Sequence, residues 1–380
     1  MAVFKIANRL HTGAGCLRVL EEETARLGMR RPLLVIDKAL REIGISDRIA
    51  GQLGHVTFDI FSDFAPEPDV AAAKACSAAF VEGRHDGLIA VGGGSSIDIA
   101  KVVSVYAGMI EPLEVLFEVN AAPGKASPLI AIPTTAGTGS EVTNIAILSD
   151  EKAQLKRGVV SDYLLPDVAI VSPEMTVSMP KSVTAASGID AFVHAIEAFL
   201  SVNSTPVTDG LALKAMSMIV RNLPRAYREP ENLVAREQMA TASLMAGMAF
   251  GNAGVGAVHA LAYPLGGRFK VAHGVSNALL LPYVMEWNKE SQPDRFREIA
   301  NAMGIDIVGE SYRGAASASV DAMRKLCRTV GIQGGLRAFG VPETAIPSMA
   351  VDAIKIERLL KNNPRKLTRE DIEAIYREAY

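Results

Sequence analysis

The sequence predicts a two-domain protein: an α/β N-terminal domain on a doubly wound, Rossmann-like parallel sheet, then an all-α C-terminal domain. Three observations predict it. At 380 residues the chain exceeds the size at which a single core keeps growing. Its first half alternates short, continuous apolar runs with helical patterns, and after Pro180 only helical periodicity remains. The boundary is expected near residue 180, giving domains 1–180 and 181–380.

The apolar runs are "PLLVID" (32–37), "GLIAVGG" (87–93), "PLIAIPTT" (128–135) and "VAIVSP" (168–173), the form taken by strands buried on both faces. Between them "DVAAAKACSAAFVEG" and "SSIDIAKVVSVYA" read as helices, and strand alternating with helix implies a parallel sheet. In the second half "SVTAASGIDAFVHAIEAFLS", "DGLALKAMSMIVRNLPRAY", "AREQMATASLMAGMAF" and "TREDIEAIYREAY" carry the helical period. Thr368 and Asp371 form a capping box that starts the last of them.

Composition narrows the function. Lys and Arg number 39 against 42 Asp and Glu, with no dense basic run, which speaks against a nucleic-acid partner. The cysteines Cys16, Cys76 and Cys327 are scattered and odd in number, so neither a disulfide framework nor a cysteine metal site is expected. The opening "MAVFKIANRLHTGAG" has charges where a signal peptide needs its apolar core, and no apolar run is expected to reach a membrane span. A cytoplasmic protein with no membrane partner is the expectation.

Sheets of this kind bind ligands beyond the carboxyl ends of their strands. After "GLIAV" come Gly92, Gly93, Gly94, Ser95 and Ser96, then Asp98 and Lys101 in the following helix. Glycines there let a phosphate approach the backbone, and the helix start supplies N–H donors. A second loop, "IPTTAGTGSEVT" (132–143), presents Thr134, Thr135, Thr138, Ser140 and Thr143 among small residues. Asp37, ending the first strong strand, stands where a carboxylate takes ribose hydroxyls and repels a 2′-phosphate, favouring NAD over NADP.

The chain has only six histidines. Asp190 and His194 are four apart in "GIDAFVHAIEAF" and project from one helical face. His259 and His273 flank a Pro-Leu-Gly-Gly segment, read as a turn, in "VHALAYPLGGRFKVAHG". Each alone reads as a partly buried core histidine. Together, three imidazoles and one carboxylate suit a divalent first-row metal such as Fe2+ or Zn2+ better than Mg2+ or Ca2+.

With these residues in hand, the chain resembles the iron-containing, group III, alcohol dehydrogenase family. The resemblance rests on "GGGSSIDIAK", "PTTAGTGSEVT", "ASGIDAFVHAIEAF", "PLGG", "HGVSNALLLP" and the closing "NNPRKLTREDIEAIYREAY", and runs over essentially the whole chain. It implies a dehydroquinate synthase-like two-domain architecture with the active site in a cleft, NAD(P), and Fe2+ or sometimes Zn2+. It also implies hydride transfer between nicotinamide C4 and an alcohol or carbonyl carbon whose oxygen binds the metal. Position by position it assigns the metal to Asp190, His194, His259 and His273, and the pyrophosphate to Gly93, Gly94 and Ser95 with Asp98 nearby. Thr134, Thr135, Thr138 and Thr143 would line the dinucleotide, Lys156 would face the cofactor, and Phe250 would lie beside the nicotinamide. By the same analogy the chain is a homodimer or a higher homo-oligomer.

The chain departs from that family in places. Many relatives have a histidine where this chain has Tyr263, so Tyr263 joins Asp98 as a candidate catalytic residue, its phenol carrying the proton. Glu67 replaces the asparagine of a common Pro-Asn-Pro loop, and Ser172-Pro173 replaces Asp-Pro. Arg268 and Lys270 precede His273 and read first as solvated charges on a surface loop; facing the substrate instead, they would favour an anionic hydroxy acid or oxo acid over a small neutral alcohol or aldehyde. The alternatives are a zinc glycerol dehydrogenase-like or dehydroquinate synthase-like enzyme, a maleylacetate reductase-like enzyme without metal, and a nucleotide-binding sensor without turnover.

Overall fold

The structure is a computed structural model that describes residues 3–150 and 155–380. The chain forms two compact units, Lys5–Ser178 and Met179–Tyr380, the second also taking residues 3–4.

The first unit contains six parallel strands: β1 (Arg9–Thr12), β2 (Leu33–Ile36), β3 (Asp59–Phe61), β4 (Leu88–Gly92), β5 (Leu129–Pro133) and β8 (Val168–Val171). Their order is β1-β8-β5-β4-β2-β3. The chain leaves β2 for β3 on one side and returns to build β4, β5 and β8 on the other, so the order reverses between β2 and β4. Alternation explains the continuous apolar runs. Leu34, Ile36, Ile89, Val91, Ile130 and Ile132 enter one core, while Leu33, Val35, Leu88, Ala90, Leu129 and Ala131 enter the opposite one. Both faces are dry, so every position must be apolar.

The four strands expected from those runs are present. The edge strands β1 and β3 carry no such run, because "RLHT" and "DIF" are only partly buried. Also beyond the expectation is an antiparallel hairpin, β6 (Ile145–Asp150) with β7 (Leu155–Val160), in which Ser149 pairs with Lys156.

The helix Gly94–Tyr106 follows β4 and contains Lys101, which is fully buried. Its ammonium donates to Ser140 Oγ at 2.9 Å, Thr143 Oγ1 at 3.0 Å and the Ile145 carbonyl at 2.9 Å. This pins the threonine-rich loop and the start of β6 to the helix. Burial pushes the Lys101 ammonium down to about 8 and the neighbouring Glu141 carboxyl up to about 7.

The second unit is helical. Its long helices are Lys181–Leu200, Pro206–Arg228, Leu233–Ala253, Ala257–Phe269, His273–Asn288 and Tyr312–Thr329, and Arg369–Glu378 ends the chain with the expected Thr368–Asp371 capping box. Two expectations are corrected. The Pro-Leu-Gly-Gly segment is not a turn, since the helix Ala257–Phe269 runs through Pro264 and ends where Lys270 takes a left-handed conformation, φ 56°. Lys181–Leu200 is long and apolar enough to cross a membrane by length and composition, but 83% of its apolar window is buried inside the protein, as befits a core helix. It is apolar because its neighbours surround it.

Gly274 sets one of those approaches. A Cβ at this position would lie 2.4 Å from the Ala186 carbonyl oxygen on the Lys181–Leu200 helix. Gly274→Ala should therefore destabilise the helical unit by about 1–3 kcal/mol, the cost of forcing packed elements apart. Urea unfolding followed through Trp287, the chain's single tryptophan, reports on that unit alone.

Glu141 generates a pH prediction. Its ordinary value is 4.5, so between pH 4.5 and about 7 the native state holds a proton that the unfolded chain has lost. That stabilising contribution is complete below pH 4.5 and lost as pH rises to about 7. Glu141→Gln removes the dependence, so the variant's stability relative to wild type should increase from about pH 5 to about pH 7 in paired thermal melts.

Candidate metal centre and cofactor loops

Asp190, His194 and Glu197 occupy positions i, i+4 and i+7 of the Lys181–Leu200 helix and so share a face. His259 stands in the first turn of Ala257–Phe269, and His273 opens His273–Asn288. The structure brings all four expected ligands together. Ligand atoms of Asp190, His259 and His273 lie within 4.8 Å of one another. His194 Nδ1 is 3.9 Å from Asp190 Oδ2, and its ring stacks on His259 with centroids 4.7 Å apart.

The chemistry of this cluster fits a divalent cation. Asp190 is 3% exposed, and no described lysine or arginine pairs with it; its charged partners are the histidines. Burial pushes its carboxyl up, but the imidazoles of His194, His273 and His259 and the Asn277 amide outweigh this and hold it below the usual carboxylate range. A buried anion among imidazoles needs a positive charge, and a metal ion supplies one. The His273 side chain is 34% exposed against 5–6% for the other two, so the centre is reached from the His273 side. Phe250 stacks on His194 at 4.1 Å between centroids and covers it with an apolar face.

Residues outside the sequence expectation complete the surroundings. Glu197 accepts from the Val258 N–H at 2.6 Å and meets His259 Nδ1 at 2.6 Å. Asn277 Nδ2 donates to Asp190 Oδ1 at 2.7 Å and lies 3.2 and 3.3 Å from Nε2 of His259 and His273. Asn362 donates to the Val255 carbonyl at 3.0 Å, and Asn363 accepts from the Ala257 N–H at 3.3 Å, bracing the turn that aims His259. "HAIE" gives a clue for Glu197 through its helical spacing from His194. The asparagines act across long sequence separations that no local pattern encodes.

In the sheet unit, Ile36 pairs with Val91 and Gly92 with Pro133, so Asp37, the glycine loop and the threonine loop emerge at one level around the switch point. Gly92 has φ 152°, and a Cβ there would lie 2.2 Å from Ser96 Oγ. Gly93 starts the Gly94–Tyr106 helix without any side-chain cap, leaving first-turn N–H donors for a ligand. The buried hydroxyls of Ser96 and Thr135 have no hydrogen-bond partner among the described residues. A Cβ on Gly94 would lie 3.1 Å from Thr138 Cγ2, so the two loops touch. Glycine backbone, uncapped donors and orphaned hydroxyls fit a pyrophosphate.

Other expected cofactor residues have prior engagements. Asp37 Oδ1 caps the next helix by accepting from the Leu40 N–H at 2.9 Å, leaving its second oxygen for a hydroxyl. Half-buried Asp98 accepts from Ser140 Oγ at 2.5 Å and the Ile147 N–H at 2.9 Å, and burial raises its carboxyl despite Lys101, Ser140 and Ile147. Thr143 faces Lys101. Thr134 is buried, and Ser95 Oγ accepts from the Glu67 N–H at 3.2 Å. Lys156 pairs with Glu67 at 2.9 Å. Glu67 has φ 59°, a conformation that asparagine adopts more readily, so the departure at this position carries backbone strain. Tyr263 is half-buried, one helical turn from His259.

Residues 7–173 match the iron-containing alcohol dehydrogenase family, and residues 184–380 match the C-terminal part of the Fe-containing alcohol dehydrogenase family. The chain belongs to this family. This dehydrogenase is an oxidoreductase of CH–OH groups that uses NAD and iron. It is 44% identical to long-chain-alcohol dehydrogenase 1 of Geobacillus thermodenitrificans, over 97% of this chain and 94% of the relative. The crystal structure of a 1,3-propanediol oxidoreductase is 38% identical with a TM-score of 0.97, covering 100% of both chains. Sulfoacetaldehyde reductase from Bifidobacterium kashiwanohense, solved in complex with NAD+, is 30% identical with a TM-score of 0.91, covering 100% of this chain and 98% of its own.

The dehydrogenase commits Arg268 elsewhere. Its guanidinium donates to Ser348 Oγ at 2.5 Å and pairs with Asp352, while Lys270 caps a helix end in the exposed surface. These contacts agree with the reading of surface charges and give no support to an anion-binding pair. Arg268→Ala should leave the ratio of turnover on neutral alcohols to turnover on hydroxy acids within about twofold of wild type, since a half-exposed ion pair contributes only about 0–1 kcal/mol.

Proposed function

We propose that this dehydrogenase interconverts small neutral alcohols and aldehydes, with Asp190, His194, His259 and His273 holding Fe2+ as its resident metal. The carrying observation is the buried Asp190 carboxylate, surrounded by three imidazoles and lacking a described lysine or arginine partner. Three nitrogen donors with one oxygen donor suit Fe2+ and also Zn2+, which is the alternative occupant. Bound NAD supplies the hydride acceptor, and bound metal supplies the Lewis acid that polarises the substrate C–O group.

The protein's own residues do the rest. Gly93, Gly94, Ser95 and the uncapped helix start receive the pyrophosphate, and Thr134, Thr135 and Thr138 line the dinucleotide. Asp37 keeps one oxygen for a ribose hydroxyl, which favours NAD over NADP. Asp98 and Thr143 fasten the threonine loop to the glycine-loop helix, a positioning role in place of a catalytic one for Asp98. Lys156, held by Glu67, lies beside the glycine loop through the Glu67–Ser95 contact and serves the cofactor from there. Phe250 shields His194 from water, and Tyr263 Oη is the candidate proton carrier. Residues 1–180 form the NAD-binding domain and residues 181–380 the metal-binding domain of a cytoplasmic homodimer.

A metal-independent, maleylacetate reductase-like enzyme is disfavoured by the complete ligand set. The test is elemental analysis of anaerobically purified protein with an NADH absorbance assay on aldehydes, before and after chelation. The expected outcome is near-stoichiometric iron or zinc, with activity falling at least about tenfold on stripping and returning with Fe2+. Full activity in metal-free protein defeats the reading.

A further inference from the structure

We infer that Glu197 is a positioning residue of the metal centre, selecting the tautomer of His259 that turns a lone pair toward Asp190. The inference rests on the reading that Asp190 and the three histidines hold a metal, and it concerns a residue outside the ligand set. Both carboxylate oxygens of Glu197 are engaged. Oε1 accepts from the Val258 N–H and Oε2 meets His259 Nδ1, each at 2.6 Å, and the side chain is 2% exposed. A carboxylate only accepts hydrogen bonds, so both facing atoms must be donors. Val258 N–H is one, and His259 Nδ1 must therefore carry a proton.

A neutral imidazole has a single N–H, which leaves the lone pair on Nε2. That nitrogen lies 3.8 Å from Asp190 Oδ1 and 3.2 Å from the Asn277 amide nitrogen, itself a donor. Asn277 has one N–H on Asp190 and one left for the two imidazoles, so where it donates to His259 it reinforces the tautomer that Glu197 selects. The helix places Glu197 for this task, because the face that carries Asp190 and His194 also carries Glu197 one turn further on. Gly256 admits the approach: a Cβ there would lie 3.2 Å from Glu197 Oε1 and 3.0 Å from Asn363 Oδ1.

Glutamine cannot replace this carboxylate. Its amide has one acceptor and one donor end, so it serves either Val258 N–H or His259 Nδ1–H and presents N–H to the other. In the first orientation relief moves the imidazole proton to Nε2, the nitrogen proposed to bind metal, and in the second the Val258 N–H that braces His259 is left facing a donor.

Two measurements test the assignment. Long-range 1H–15N spectra of metal-free wild-type protein, labelled at histidine and assigned against His259→Asn, should show His259 protonated at Nδ1 at about pH 8, where an ordinary imidazole is neutral. A proton on Nε2 overturns the inference, and this result does not depend on a variant folding. Competition for Fe2+ and Zn2+ against a chromophoric chelator should show Glu197→Gln binding about 10–100-fold more weakly than wild type, with Trp287 emission verifying the fold. Affinity within about twofold of wild type overturns it. Wild-type protein that takes neither metal would instead remove the metal reading on which the inference rests.

Discussion

An ionised carboxylate inside a protein is costly unless a positive charge and hydrogen bonds accompany it, and Asp190 organises the helical unit around that requirement. Its helix is 20 residues long and almost wholly buried, so it brings the carboxylate away from solvent. The three imidazoles arrive from three helix segments, and Asn277 adds an amide donor from the base of the His273 helix. Gly274 permits the close backbone approach, next to the candidate ligand His273 itself. Packing that is this tight fixes where these side chains stand, and a bound cation would make the packing electrostatically tolerable.

The sheet unit answers a different demand, that of presenting backbone N–H groups to phosphates while leaving them unpaired until a ligand comes. A free loop would collapse onto its own donors. Here the threonine loop is held open from beneath by Lys101, whose buried ammonium binds Ser140, Thr143 and the Ile145 carbonyl, and by Asp98, which receives Ser140 and Ile147. The buried hydroxyls of Ser96 and Thr135 have no hydrogen-bond partner among the described residues. Charged groups supply rigidity and small residues supply room, an arrangement that would spare a bound cofactor the cost of ordering these loops.

The central strands were legible because burial on both faces demands an unbroken apolar run, as in "GLIAVGG". Edge strands obey a looser rule: β1 and β3 face solvent and carry His11 and Asp59, which erases the pattern. The helix containing Pro264 misled for a related reason. Proline and two glycines signal a break when helix propensity decides, but Pro264, Leu265 and Gly266 are buried, and Tyr376 donates to the Leu261 carbonyl of the same helix. Tertiary packing overrides local preference.

The same distinction separates ligands from the residues that aim them. Histidine is rare in this chain, so three in apolar settings with a helical aspartate stand out from the sequence. Glutamate and asparagine are common, and beyond the helical spacing of Glu197 from His194 nothing local marks Glu197, Asn277, Asn362 or Asn363 as different from solvated side chains. Their significance lies in contacts across long stretches of chain, from Glu197 to Val258 and from Asn363 to Ala257. A metal centre is therefore announced in sequence by its donors and specified in structure by their neighbours. On the proposed reading the donors decide which ions fit, whereas Glu197 decides which nitrogen of His259 faces them.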